Sequence, residues 1–170
     1  PRNSVNLGRK EIKQILQLAA GKTITKANIK SLNLRKLEAK LNKDKRIQRA
    51  DLYLDSKNRL HAHIIQKKPN MRVIEEEGSE YYLDENGKQV PVTRGSAVRV
   101  PLVTGIRDTF SLVNTKSDRP SKLKQVFDIM KYVAKDPFLT ALIEQAHVEH
   151  DSIGDIVLIP KLGREKLIFG

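Results

Sequence analysis

Histidine and carboxylate clusters are the first residues to weigh for chemistry. His147-Val148-Glu149-His150-Asp151 holds four residues able to ligate a metal in five positions. On a strand, His147, Glu149 and Asp151 would share a face and His150 would point away. On a helix, His147 and His150 would converge, but the segment is too short and lies between turns. No further ligand stands at a metal-site spacing, so a solvent-facing strand edge is the better reading. His61 and His63 form a His-x-His pair that suits bidentate ligation on a strand. Simple alternation opposite Leu60, Ala62 and Ile64 explains them equally, and is preferred. Glu75-Glu76-Glu77 reads as a solvated turn rather than a catalytic carboxylate pair.

Nucleophile chemistry fares no better. The chain has no cysteine, which excludes thiolates, disulfides and Cys-bound zinc. No serine sits in a Gly-x-Ser-x-Gly turn. Neither Gly-x-x-x-x-Gly-Lys nor Gly-x-Gly-x-x-Gly occurs. The expectation is a non-enzymatic protein with no cofactor and no metal.

Charge carries more information. Residues 1–69 hold 18 Lys and Arg against 5 Asp and Glu, a balance of +13; residues 70–170 hold 14 against 15, or −1. Only the first part should seek an anionic partner. Tyr53 is the only aromatic residue before Pro69, which argues against a base-stacking nucleic-acid surface. Anionic lipid headgroups would serve the same charge. No apolar run reaches the roughly 18 residues of a membrane span, and no signal peptide is present. The chain starts at Pro1 rather than Met, so it is expected to be excised from a longer protein.

These residues must be positioned by two kinds of element. Ile12, Ile15, Leu16 and Ala19 have helical spacing over Glu11–Ala20, and Gly21 suits a left-handed C-terminus. Thr23 to Lys30 is a weakly patterned link. Asn33 is a candidate N-cap for a helix over Leu34–Asn42 with Leu34, Leu37 and Leu41 inward. Ile47 to Pro69 reads as a hairpin. Ala50, Leu52 and Leu54, then Leu60, Ala62 and Ile64, face the core; Asp51, Tyr53, His61, His63 and Ile65 face out. Pro69 then marks a boundary. The first domain is 1–69 and the second 70–170, with Gln66 and Pro69 in the joint.

Strands are expected over Met71–Ile74, Tyr81–Leu83, Lys88–Val92 and Val98–Thr104. Asn86-Gly87 is the hairpin turn, Pro91 marks an edge strand, and Gly105 ends the fourth run. Helical period returns from Asp118 to Ala134. Asp136-Pro137 starts a short helix whose apolar side is Phe138, Leu142 and Ile143. His147–Glu149, Asp155–Pro160 and Lys166–Phe169 form a β-meander, with turns at Asp151–Gly154 and Lys161–Arg164. The fold class is α+β: a small helix-helix-hairpin domain, then a mostly antiparallel β-domain carrying two helices.

The order of several weak motifs is more specific than any one. Leu34-Arg-Lys-Leu37-Glu38-Ala-Lys-Leu41, Ile47-Gln-Arg-Ala50-Asp-Leu-Tyr53 and Leu60-His-Ala-His-Ile64-Ile-Gln66-Lys67-Lys-Pro69 resemble a POTRA domain and its exit strand. Tyr81-Tyr82-Leu83-Asp84 with Gly87, Arg99-Val-Pro101-Leu102-Val103-Thr-Gly105, Ile143-Glu144-Gln145, and Ile156-Val-Leu158-Ile159-Pro160 with Gly163 continue the likeness. Together they resemble the bacterial cell-division family FtsQ/DivIB over nearly the whole chain. The resemblance implies a single-pass protein of the cytoplasmic membrane. Its extracytoplasmic part is a POTRA domain and a β-domain without catalytic activity. It recruits the small coiled-coil proteins FtsB and FtsL at the septum, partly by adding a strand to the β-domain edge.

Two departures stand out. The family's first POTRA strand has only Ser4-Val5-Asn6-Leu7 to draw on, and the family's closing helix and strand after Gly170 are absent. The segment most directly tied to partner binding in the family is therefore expected beyond these residues, and Lys166, Leu167, Ile168 and Phe169 are the expected partner-binding edge strand next to it. The basic first domain is expected to meet an anionic membrane surface. Two rival readings are a POTRA-bearing chaperone of outer-membrane assembly or transport, and a basic nucleic-acid-binding module. The first lacks a second helix-helix-hairpin repeat; the second would show steeply salt-dependent binding.

Overall fold

A computed structural model describes residues 7–21, 29–93, 98–107, 121–150, 154–163 and 165–169. The chain divides into two compact units, with the boundary between Lys67 and Lys68.

The first unit is a pair of helices on a hairpin. Helix α1 is Arg9–Ala20; Gly21 caps it at φ 67°, and its amide bonds back to the Leu18 carbonyl. A 3₁₀ turn at Ile29–Ser31 leads to α2, Leu34–Leu41. The Asn33 side chain accepts the Lys36 amide at 3.0 Å, satisfying one of the orphan donors of the first turn. Strands β1 (Ile47–Leu54) and β2 (Leu60–Gln66) pair antiparallel. Leu7, Leu16, Leu37, Leu41, Ile47, Ala50 and Leu52 form the buried core, which places both helices on the apolar face of the hairpin. Ala62, expected to face this core, is exposed. It lies on β2, which among the described residues pairs with β1 alone.

The opposite side of the hairpin is closed by side chains of α2. Glu38 accepts the Leu52 amide at 2.7 Å and Asn42 the Ala50 amide at 2.8 Å. These outward donors of β1 would otherwise form an open strand edge. Of the expected first strand, Ser4, Val5 and Asn6 lie outside the described residues. Leu7 is buried, and its amide bonds to the Gln66 side chain at 3.1 Å.

The second unit is a seven-stranded sheet in the order β5-β4-β3-β6-β7-β8-β9. Strands β3 (Pro69–Glu75), β4 (Glu80–Asp84) and β5 (Gln89–Pro91) form an antiparallel meander. Its second turn carries Gly87 at φ 73°, where the Asn-Gly pair predicts a hairpin. Strand β6 (Leu102–Ile106) lies parallel to both β3 and β7. Helices α3 (Lys122–Val133) and α4 (Pro137–Leu142) stand between β6 and β7 in the chain, the helical crossover that parallel neighbours need. Strands β7 (Ile143–Val148), β8 (Ile156–Pro160) and β9 (Leu167–Phe169) are antiparallel. The class is α+β, with mostly antiparallel pairing.

Several boundaries differ from the sequence reading. The fourth run starts at Leu102, not Val98, and continues through Gly105 to Ile106. Gly105 sits inside the strand at φ 76°, where the register with β3 shifts. That is a bulge, not a stop. Ile143 caps α4 with an extended backbone and opens β7, so this strand starts four residues before His147. Phe138 is 71 % exposed, while Leu142 packs against the core as expected, joined by Leu139. Helix α3 is capped by Ser121, whose hydroxyl accepts the Lys124 amide at 3.2 Å. The expected start at Asp118 lies outside the described residues, as do Asp151, Ser152, Ile153 and Arg164 of the two late turns.

Candidate partner-binding edge

The two ends of the large sheet are built differently. At one end β5 is short, and Pro91 stands exposed within it. A proline offers no ladder donor, which blunts an edge against further pairing. At the other end β9 pairs, among the described residues, with β8 alone. Its three residues are all large and apolar, and all are exposed: Leu167 47 %, Ile168 63 % and Phe169 46 %. Lys166 precedes them, also exposed.

Register sets these bare side chains beside buried ones. Leu167 and Phe169 stand opposite Leu158 and Ile156, which belong to the core. Ile168 stands opposite Val157. All three residues on β8 are buried, at 4 % or less. Apolar packing therefore extends to the eighth strand and stops. An open edge of this kind has the geometry in which an added strand gains affinity from backbone pairing and specificity from alternate side chains.

The adjoining turn enlarges the apolar surface. Leu162, at 85 % exposure, lies in the turn between β8 and β9. Lys161 holds that turn to α4: its amide bonds to Leu142 O at 2.8 Å and its Nζ to Thr140 O at 2.8 Å. Gly163 follows at φ 101°, a conformation that favours glycine. The sequence reading passed over Leu162, although an apolar residue in a Lys-Leu-Gly-Arg turn was a visible signal.

The remaining candidate residues are dispersed. Gln66 is the last residue of β2, and its side chain both accepts from and donates to the Leu7 backbone. Pro69 opens β3, is buried, and pairs with Asp84. His61 stacks on Tyr53 with ring centroids 4.9 Å apart, and its Nε2 lies 3.1 Å from Asp55. His63 Nδ1 lies 3.8 Å from Asp51. His147 Nδ1 shares a hydrogen bond with the Thr104 hydroxyl at 2.8 Å, while His150 pairs with Glu76. His147 and His150 thus engage different neighbours. Among the described residues no three His, Asp or Glu side chains gather as a metal site.

A cleft of about 250 Å³ lies where β6, β7 and the start of α3 meet, lined by Gly105, Arg107, Lys122 and His150. Its basic groups are largely spoken for. Glu76 accepts from Arg107 Nε at 2.8 Å and also pairs with His150. The Arg107 hydrogen bond is the main cause holding the Glu76 carboxyl below its ordinary range. Among the described residues this cluster ties together the ends of three parallel strands and offers no nucleophile.

A sequence model of the family described as FtsQ/DivIB, C-terminal related, matches residues 68–170. No curated protein gives a significant match to the chain. The matched span is the whole of the second unit from its first strand through β9, more than half of the chain. The chain belongs to the FtsQ/DivIB, C-terminal related family of cell-division proteins.

Proposed function

We propose that the chain is the extracytoplasmic part of a non-enzymatic divisome scaffold, and that its second unit receives a partner along β9. The observation carrying this reading is the run Leu167-Ile168-Phe169, apolar and exposed on an unshared sheet edge. Family membership supplies the context of cell division. The partner is a single-pass coiled-coil protein of the FtsB or FtsL kind, contributing an extended segment that pairs with β9. The first unit acts as a POTRA-like domain on the membrane side, downstream of a single-pass anchor in the cytoplasmic membrane. Gln66 and Pro69 bracket the joint between the units.

Co-purification with the cognate coiled-coil partner tests the proposal. The unaltered chain should retain the partner, and Ile168→Lys should release it while the fold persists. Equal retention by both proteins would refute β9 as the docking edge.

A further inference from the structure

The five acidic residues of the first unit are all engaged, and none is engaged by the cations of its helix layer. Glu11 and Asp44 meet Arg46 at 3.5 and 2.8 Å. Glu38 accepts the Leu52 amide. Asp51 meets Arg49 at 3.0 Å and Asp55 meets Arg59 at 2.6 Å. Carboxylates therefore neutralise the hairpin side and the α2–β1 connection. Arg9, Lys10 and Lys13 on α1, with Arg35 and Lys36 on α2 and Lys43 just after it, are exposed and make no ion pair among the described residues.

An apolar side chain stands in the same layer. Leu18 is 79 % exposed, whereas its helix neighbours Leu16 and Ala19 join or pack against the core. Lys40 of α2 reaches the Ala19 carbonyl at 2.6 Å, so its ammonium lies beside the last turn of α1. The helix layer thus carries both unneutralised cations and one bare leucine. Free phosphate or a polyanion would use the cations and leave the leucine in water. A bilayer surface uses both, because headgroups meet the charges and the interface takes the apolar side chain.

We infer that the solvent face of α1 and α2 is a docking surface for an anionic lipid bilayer, with Leu18 entering the headgroup region. The inference rests on the proposed membrane-side position of the first unit but does not involve β9.

The chain has no tryptophan, so Leu18→Trp provides a lone reporter in the full chain. Its emission should shift to the blue with vesicles of phosphatidylglycerol and phosphatidylcholine, and stay unchanged with phosphatidylcholine alone. Each of Lys10→Gln, Lys13→Gln and Lys36→Gln should weaken vesicle binding about fivefold at low salt. Glutamine has nearly the helix propensity of lysine, so these variants keep their fold. Lys131→Gln with Lys135→Gln, in the second unit, should change nothing. A missing blue shift with phosphatidylglycerol would overturn the inference. So would an equal loss from the second-unit control, or binding to poly(dT) with no response to vesicles. Partner retention by β9 is measured separately, so either reading can fail while the other stands.

Discussion

Val157 and Ile168 face each other at the middle of the β8–β9 ladder, and their exposures are 1 % and 63 %. The same kind of side chain, one strand apart, passes from core to surface. A sheet that ended by design at β9 would carry polar or blunting residues there, as Pro91 does at the other edge.

This pair separates stability from binding. Ile168→Glu removes an exposed side chain and should alter the unfolding free energy by no more than about 0.5 kcal/mol. Val157→Ala opens a cavity and should cost roughly 1–3 kcal/mol. Urea unfolding distinguishes them; a large loss from Ile168→Glu would mean that β9 is packed in solution.

Gly105 should be irreplaceable. A Cβ there would lie 2.2 Å from the Val148 carbonyl oxygen, which is backbone and cannot turn aside, and φ is 76°. Gly105→Ala combines this overlap with left-handed strain, at a cost of roughly 3 kcal/mol or more. Thermal unfolding of the second unit should register the loss. By contrast, Gly21 at φ 67° has nothing within 4 Å of an added Cβ, so Gly21→Ala should cost only about 1–2 kcal/mol.

Glu38→Ala should strip the acceptor from the Leu52 amide and reopen the outer edge of β1. An unsatisfied, partly buried donor costs about 1–3 kcal/mol. Amide hydrogen exchange at Leu52 should accelerate in Glu38→Ala while Ala50, held by Asn42, stays protected. Unchanged exchange at Leu52 would remove the edge-closing role assigned to α2.

Acid should loosen the first unit through Asp44. The Arg46 guanidinium holds the Asp44 carboxyl below its ordinary value of 3.8. A depressed carboxyl contributes stability that is fully present above its unfolded pKa and fades as pH falls through the folded one. Stability of the first unit should therefore be flat from neutral pH to about 5 on this account and fall below 3.8. Asp44→Asn should flatten part of that decline. An identical acid profile in the variant would assign the decline to other carboxylates.

Much of this architecture was legible in sequence, and the reasons are local. Asn33, Gly21, Asp136-Pro137 and Asn86-Gly87 act through their own backbones, so their types alone placed caps and turns. Gly105 misled because a glycine ending an extended run and a glycine inside a bulge look alike until the neighbouring strand is known. Ile143 misled because helical spacing continued one residue beyond the helix, where its extended backbone belongs to β7. Phe138 misled because an apolar residue in the first turn of a six-residue helix has no assured core face. For the site, the identity of Leu167-Ile168-Phe169 was readable. Their bareness was not, since it depends on β9 being the outermost of seven strands.

The most direct test is amide hydrogen exchange along β9 in the full chain, with and without the cognate coiled-coil partner. An added strand bonds the outward amides, so protection should rise within residues 166–169 while β5, at the blunted edge, stays unchanged. Partner binding without added protection at β9, or with protection at β5 instead, would contradict the account.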